Sequence, residues 1–304
     1  MAHHRVLAHH WSGRGGGEKA LVGIITVVAL VVVALELRPL VDGAKVPFML
    51  LVPIFALFSL LHAGFVLGWR HAFLFFALSA VISLGSELIG TETGLIFGRY
   101  HYTDVLGPKL FGEVPIVIPL TWFLMIYPSY LIANLIVEGR LLAQGRRLAH
   151  LVSMAFLGAL VMTAWDLTLD PYMVSFEKAW VWDQPGSYFG IPIHNYVGWL
   201  ATTFVVMLLY RLLERRRPPR PIGGPSRWLA AAPLATYGFM SIGDVALGHP
   251  VETVLISPFA MGIPLLFAAT AFARPERLRG IEGAASPAAV SRSGSERGVG
   301  LDAP

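Results

Sequence analysis

Apolar residues run along this chain in long, nearly unbroken windows separated by short polar breaks. Eight can be drawn, at 20–35, 46–67, 72–88, 114–137, 148–169, 195–213, 228–242 and 254–273. Most approach the roughly 20 residues that cross about 30 Å of hydrocarbon as a helix. The pattern therefore predicts an all-α polytopic transmembrane bundle of about eight helices. The first window is short and the seventh weak, so seven crossings is the nearest alternative.

Basic residues test that count, because Lys and Arg gather in cytoplasmic loops. With the N-terminus inside, 18 of the 23 basic residues fall on the cytoplasmic side, among them Arg140, Arg146, Arg147, Arg211 and Arg215 to Arg217. Only Arg38, Lys45, Arg99, Lys109 and Lys178 fall opposite. The partition predicts eight helices with both termini cytoplasmic, in a multi-pass protein of a bacterial or archaeal cell membrane. Composition agrees: 55% of the 304 residues are hydrophobic and 14% charged, against about 25% charged in soluble domains. Mean hydropathy is +0.64. The net charge of +4 then reflects orientation and contact with anionic lipid, and no nucleic-acid partner is expected. The absence of cysteine excludes disulfides, thiolate metal sites and a cysteine nucleophile. Segments 1–19 and 276–304, rich in Gly, Ser, His or Arg, read as disordered tails around a membrane domain at 20–275.

Candidate chemistry collects in the non-cytoplasmic half. Asp166 and Asp170 close the fifth window four residues apart, hence on one helical face. An ionisable group at membrane depth costs about 2.5 to 3.5 kcal/mol on insertion scales, which makes it a functional candidate. At 1.5 Å per residue Asp166 lies about 27 Å along its helix, and Glu87 about 22 Å along the third. Glu87, with no Lys or Arg near it in sequence, is expected to hold its proton and be a usable donor. Glycines 90, 94 and 98 recur every four residues, the spacing of a small-residue packing stripe. The fourth helix is expected to open at Glu113-Val114-Pro115, with Pro119 or Pro128 able to kink it. The Trp and Tyr density between 172 and 199 suits an interfacial belt, or rings lining the entrance of a long apolar ligand and facing a carbocation.

The aspartates admit two readings. They could hold Mg²⁺ and a diphosphate, as in membrane prenyltransferases, or act as an acid and its partner sharing a proton. Metal and diphosphate binding want further oxygen ligands and nearby Arg or Lys; this side is poor in basic residues and in further Asp clusters, with only Asp244 and Glu252 near the junction of the seventh and eighth windows. Histidines 101, 194 and 249 lack metal-ligand spacing, and no Gly-x-Ser-x-Gly elbow occurs.

Several stretches in order, Glu87 to Tyr102, Val114-Pro115 through Trp122, Ala164-Trp165-Asp166 through Asp170-Pro171, Trp180-Val181-Trp182, and Tyr188 to Pro192 with Asn195 to Trp199, resemble the CruF-type carotenoid hydratase family, which includes the bisanhydrobacterioruberin hydratases. The resemblance covers about residues 20–275. It implies a hydro-lyase that adds water across the terminal C1',2' double bond of a ψ-end carotenoid, giving a tertiary 1'-hydroxyl without a cofactor or metal. Its partners would be carotenoid, water, lipid and other carotenoid-pathway enzymes. Such hydration needs an acid to protonate C2', a surface that tolerates a cation at C1', and a positioned water. The expectation is that Asp166, or failing it Glu87, supplies the proton and that Asp170 with Asn195 or Tyr102 orients the water. Trp165, Trp122 and Trp199 would flank the cation, and Tyr100, Tyr102, Tyr188 and Trp182 would line the substrate site. The alternatives are a prenyltransferase or lycopene elongase using Mg²⁺ and a prenyl diphosphate, and a non-enzymatic carotenoid-binding or transport protein.

Overall fold

A computed structural model describes residues 15–43, 46–145, 147–223 and 227–273. Of the tails expected at 1–19 and 276–304, residues 1–14 and 276–304 lie outside these residues, whereas Gly16 to Lys19 form the first turn of a helix. The helices are α1 (Gly16–Asp42), α2 (Phe48–Leu67), α3 (Trp69–Thr93), α4 (Ile118–Glu138), α5 (Leu148–Tyr172), α6 (Ile193–Arg216), α7 (Arg227–Leu247), and the shorter α8 (Ser257–Ala260) and α9 (Gly262–Ala273). Among the described residues seven segments are long and apolar enough to cross a membrane, the last being Val251–Ala273. The seventh window does form a 21-residue helix, α7, but α7 is not among those seven.

Helix α4 is the hub. Of its apolar window 83% is buried, against 22% for α1, and it packs on α2, α3, α5, α6, α7 and α9. The eighth window is not one helix: a 3₁₀ turn (Val251–Leu255) leads into α8 and then α9. Proline explains the break, since Pro264 cannot donate back to the carbonyl of residue 260. The fourth helix likewise starts later than expected. Val114–Pro115 (β3) pairs antiparallel with Lys109–Leu110 (β2), and α4 begins at Ile118 with Pro119 in its first turn, where proline is tolerated.

Prolines inside helices, among them Pro128, Pro171 and Pro233, each free the carbonyl four residues earlier, and lipid offers no water to satisfy it. At these three, side chains from other segments do so. Ser59 Oγ donates to the Leu124 carbonyl freed by Pro128, at 3.2 Å. His62 Nε2 donates to the Leu229 carbonyl freed by Pro233, at 2.7 Å, while its Nδ1 accepts from the Tyr127 hydroxyl at 2.7 Å. Tyr188 treats Pro171 in the same way, as described below.

Arg211, counted above with the cytoplasmic loops, is instead fully buried in α6. Its Nη2 donates to Asn134 Oδ1 at 2.9 Å, and its guanidinium lies 4.5 Å from the centre of the Tyr130 ring. Nε and Nη1 have no hydrogen-bond partner among the described residues. Asn134 also donates to the Leu141 carbonyl at 2.7 Å, so one amide ties α6 to both α4 and the loop beyond it.

Candidate active site

The site forms where α3 ends. Gly94, at φ +74, closes the helix through its N–H to the Gly90 carbonyl at 2.8 Å; only glycine adopts that backbone freely. The glycines at 90 and 94 thus build the turn that returns the chain over α3, not a helix-packing stripe. The returning strand β1 (Tyr100–Tyr102) pairs antiparallel with β4 (Trp180–Trp182), setting Tyr100 opposite Trp182 and Tyr102 opposite Trp180. Because side chains alternate across a strand, these four rings share one buried face while His101 and Val181 are exposed on the other. Lys109 staples the neighbouring hairpin to this ribbon through its ammonium to the Tyr102 carbonyl, at 2.8 Å.

Beneath the ribbon lies Glu87, 3% exposed. Its Oε2 accepts from the hydroxyls of Tyr100 and Tyr102, the latter at 2.9 Å, and its Oε1 accepts from Trp122 Nε1 at 2.9 Å. Burial first, then the Glu87 carboxyl, push both phenols well above their ordinary range, so they remain donors across physiological pH. Trp122 stacks on Trp199 with centroids 4.2 Å apart and planes at 15°. Trp165 meets Trp199 edge-on at 6.3 Å. Gly198 allows the close approach of α6, because a Cβ there would stand 2.2 Å from the Ile96 carbonyl oxygen.

The aspartates form the second half. Both are buried on the inward face of α5, and Asn195, at the start of α6, donates its amide to Asp170 Oδ2 and to Asp166 Oδ2, the latter at 3.3 Å. The two carboxyl groups also contact each other, and the Trp180 indole approaches Asp170. Asp166 Oδ1 has no hydrogen-bond partner among the described residues. Pro171 follows at once and frees the Leu167 carbonyl, which accepts from the Tyr188 hydroxyl at 2.7 Å.

That bond makes Tyr188 a support of the aspartate turn. Tyr188→Phe is expected to cost about 1 to 2 kcal/mol by orphaning a buried carbonyl, and almost nothing in a Pro171→Ala background, where residue 171 regains its own N–H. A thermal-unfolding double-mutant cycle checks this; additive losses would sink it. Burial first, then Asp166 and Asp170, push the Tyr188 phenol from its ordinary 10 up to about 12. A raised folded-state value favours the protonated form. The contribution of Tyr188 is therefore fully present below pH 10 and fades as pH rises toward 12.

Between the two halves is a cavity of about 20 Å³, room for a water molecule. Eight of the residues expected at the site line it: Glu87, Asp170, Asn195, Trp122, Trp199, Tyr100, Tyr102 and Trp182. Asp166 and Trp165 lie one layer behind, against Asp170 and Trp199, and Tyr188 bonds the Leu167 carbonyl without lining the cavity. Sequence reasoning missed Trp180, Phe97, Phe48 and Thr121, which also line it. Trp180 carried a legible signal, since it stands two residues from Trp182 in a strand. No Lys, Arg or His lines the cavity, and among the described residues no group of three or more His, Asp or Glu could hold a metal ion. Asp244 is held elsewhere, accepting from Thr168 Oγ1 at 2.8 Å across α5 and α7.

Residues 44–267 match the sequence model of a family described as carotenoid biosynthesis protein. The chain belongs to this family. The matched region takes in every residue that lines the cavity. A bisanhydrobacterioruberin hydratase of Haloarcula japonica is 34% identical to this carotenoid biosynthesis family member over 165 residues, 54% of this chain and 53% of the relative. The chain thus spans about half the length of the curated relative it matches. No solved structure gives a significant match.

Proposed function

We propose that the chain is a cell-membrane hydro-lyase that adds water across the terminal C1',2' double bond of a ψ-end carotenoid, of C40 or C50 length. The observation that carries this reading is the buried Asp170–Asp166 pair, held by Asn195 at the wall of a small, aromatic-lined cavity. Two carboxyl groups in contact away from water share one proton at rest, because both can ionise there only while a cation forms beside them. Asp170 reaches the cavity and Asp166 does not, so Asp170 hands the proton to C2' and Asp166 backs it. That exchanges the roles expected from the sequence. The water adds to C1' and returns a proton to the pair. The terminal isoprene unit enters by parting the rings that close the cavity. Family membership and the name of the Haloarcula relative support the substrate class. The basic-residue partition supports a site at the non-cytoplasmic leaflet, where a carotenoid that spans the bilayer presents its end.

A prenyl diphosphate suits this cavity poorly, since no basic side chain lines it and the aspartates are engaged with each other and with Asn195. Expression of the full chain in a host that accumulates lycopene or γ-carotene, with pigments read by mass, tests the proposal. Gain of one water per hydrated end is expected. Gain of prenyl units would establish the transferase instead, and unchanged pigments a binding protein.

A further inference from the structure

The two acidic groups at the cavity wall are built differently. Asp170 touches a second carboxyl group with which it can share a proton. Glu87 meets only donors: two phenols on one oxygen and an indole N–H on the other. These belong to β1 and α4, so the convergence is tertiary and not an accident of one turn. A carboxyl surrounded by three donors is held as an acceptor, yet no basic residue lines the cavity to neutralise it. The Trp122 ring that holds one Glu87 oxygen is also stacked on Trp199, and both rings line the same space.

We propose that Glu87 is the fixed counter-charge of the site, which makes the cavity a receptor for a tertiary cation. Its ligands are the C1' carbocation and, as a stable mimic, a protonated tertiary amine on an isoprenoid chain. This rests on the hydration reading and divides its labour. C2' gains a C–H bond with the proton of the Asp170–Asp166 pair as the π bond breaks, and C1' becomes electron-deficient. The water oxygen bonds to C1', and the proton it sheds returns to the pair. Glu87 neither gives nor takes a proton, which replaces the donor role expected for it from the sequence, because three donors fix it as an acceptor. A carboxylate fixed in a water-poor site acts on such a cation far more strongly than it would in water, and π faces add to the attraction.

The test uses the full chain in lipid nanodiscs and two probes: an N,N-dimethylamine capping an isoprenoid chain, and its uncharged isostere with CH in place of NH⁺. Binding is read by calorimetry and by tryptophan fluorescence. The wild-type protein should prefer the amine by about 100-fold or more, Glu87→Gln should reduce that preference to about tenfold or less, and Asp170→Asn should keep it. Equal affinity of the wild-type protein for the two probes overturns the proposal without need of any variant. Loss of preference in Asp170→Asn, alone or together with Glu87→Gln, also overturns it, because the charge would then sit on the aspartates. Amine preference in a chain that fails to hydrate carotenoid would sustain the cation site and remove the reaction, whereas hydration without preference does the reverse.

Discussion

Asp170→Asn is expected to abolish the hydrated carotenoid while leaving protein level and carotenoid retention intact. General acids contribute about 10²- to 10⁴-fold to a rate, and the amide has no carboxyl proton to give. It does keep the size of the side chain and a carbonyl that can accept from Asn195, so the fold should survive. Asp166→Asn should also impair hydration, but less, because Asp166 acts through Asp170 and does not line the cavity. The pair works as one unit, so the double variant should lose no more than Asp170→Asn alone. Pigment mass spectra from a lycopene-producing host, normalised to membrane-inserted protein, measure all three. Full hydration by Asp170→Asn would remove it as the acid.

The second large effect is on stability and arises at the other end of the bundle. Asn134→Leu should destabilise the protein by about 3 to 5 kcal/mol, because it strips a fully buried guanidinium of its Asn134 acceptor. The Tyr130 ring face remains, but it cannot replace a carbonyl acceptor. Adding Arg211→Met should recover most of the loss, since an apolar pair of similar volume removes the guanidinium that has lost its acceptor. Recovery should stop about 1 kcal/mol short, because the Leu141 carbonyl loses the Asn134 amide. Thermal unfolding in detergent reads the cycle. An Asn134→Leu protein as stable as wild type would show that the guanidinium does not depend on this amide.

The spans were legible because hydrocarbon imposes one length and one polarity, and the basic loops repeat that message independently. The position of the site was legible for the same reason: Glu87, Asp166 and Asp170 are costly where they stand. What escaped were contacts distant in sequence. The pairing of Tyr100-His101-Tyr102 with Trp180-Val181-Trp182 shows strand alternation in each triplet, yet three residues are too few to be told from an interfacial belt. Sequence alone puts Tyr188 among the substrate contacts because it is aromatic and nearby. Its partner is a backbone carbonyl, which side-chain patterns do not report. Trp165 and Asp166 read as cavity wall from the sequence because helical phase gives a face and not a depth. Arg211 reads as a loop cation in the sequence because its acceptor, Asn134, is 77 residues away.

The bonds that answer Pro128 and Pro233 have a mechanical consequence. Ser59 and His62 lie one turn apart on α2, and each holds a carbonyl of a different helix, Leu124 of α4 and Leu229 of α7. Sliding either helix along α2 by even one residue would strand that carbonyl in hydrocarbon, with no solvent to replace the lost donor. The two prolines therefore act as register pins that index three helices to one another. When rings part to admit a substrate, α2, α4 and α7 should hold their mutual register, and the motion should fall to the β1–β4 ribbon and the ends of α3 and α6, where no such pin was found among the described residues.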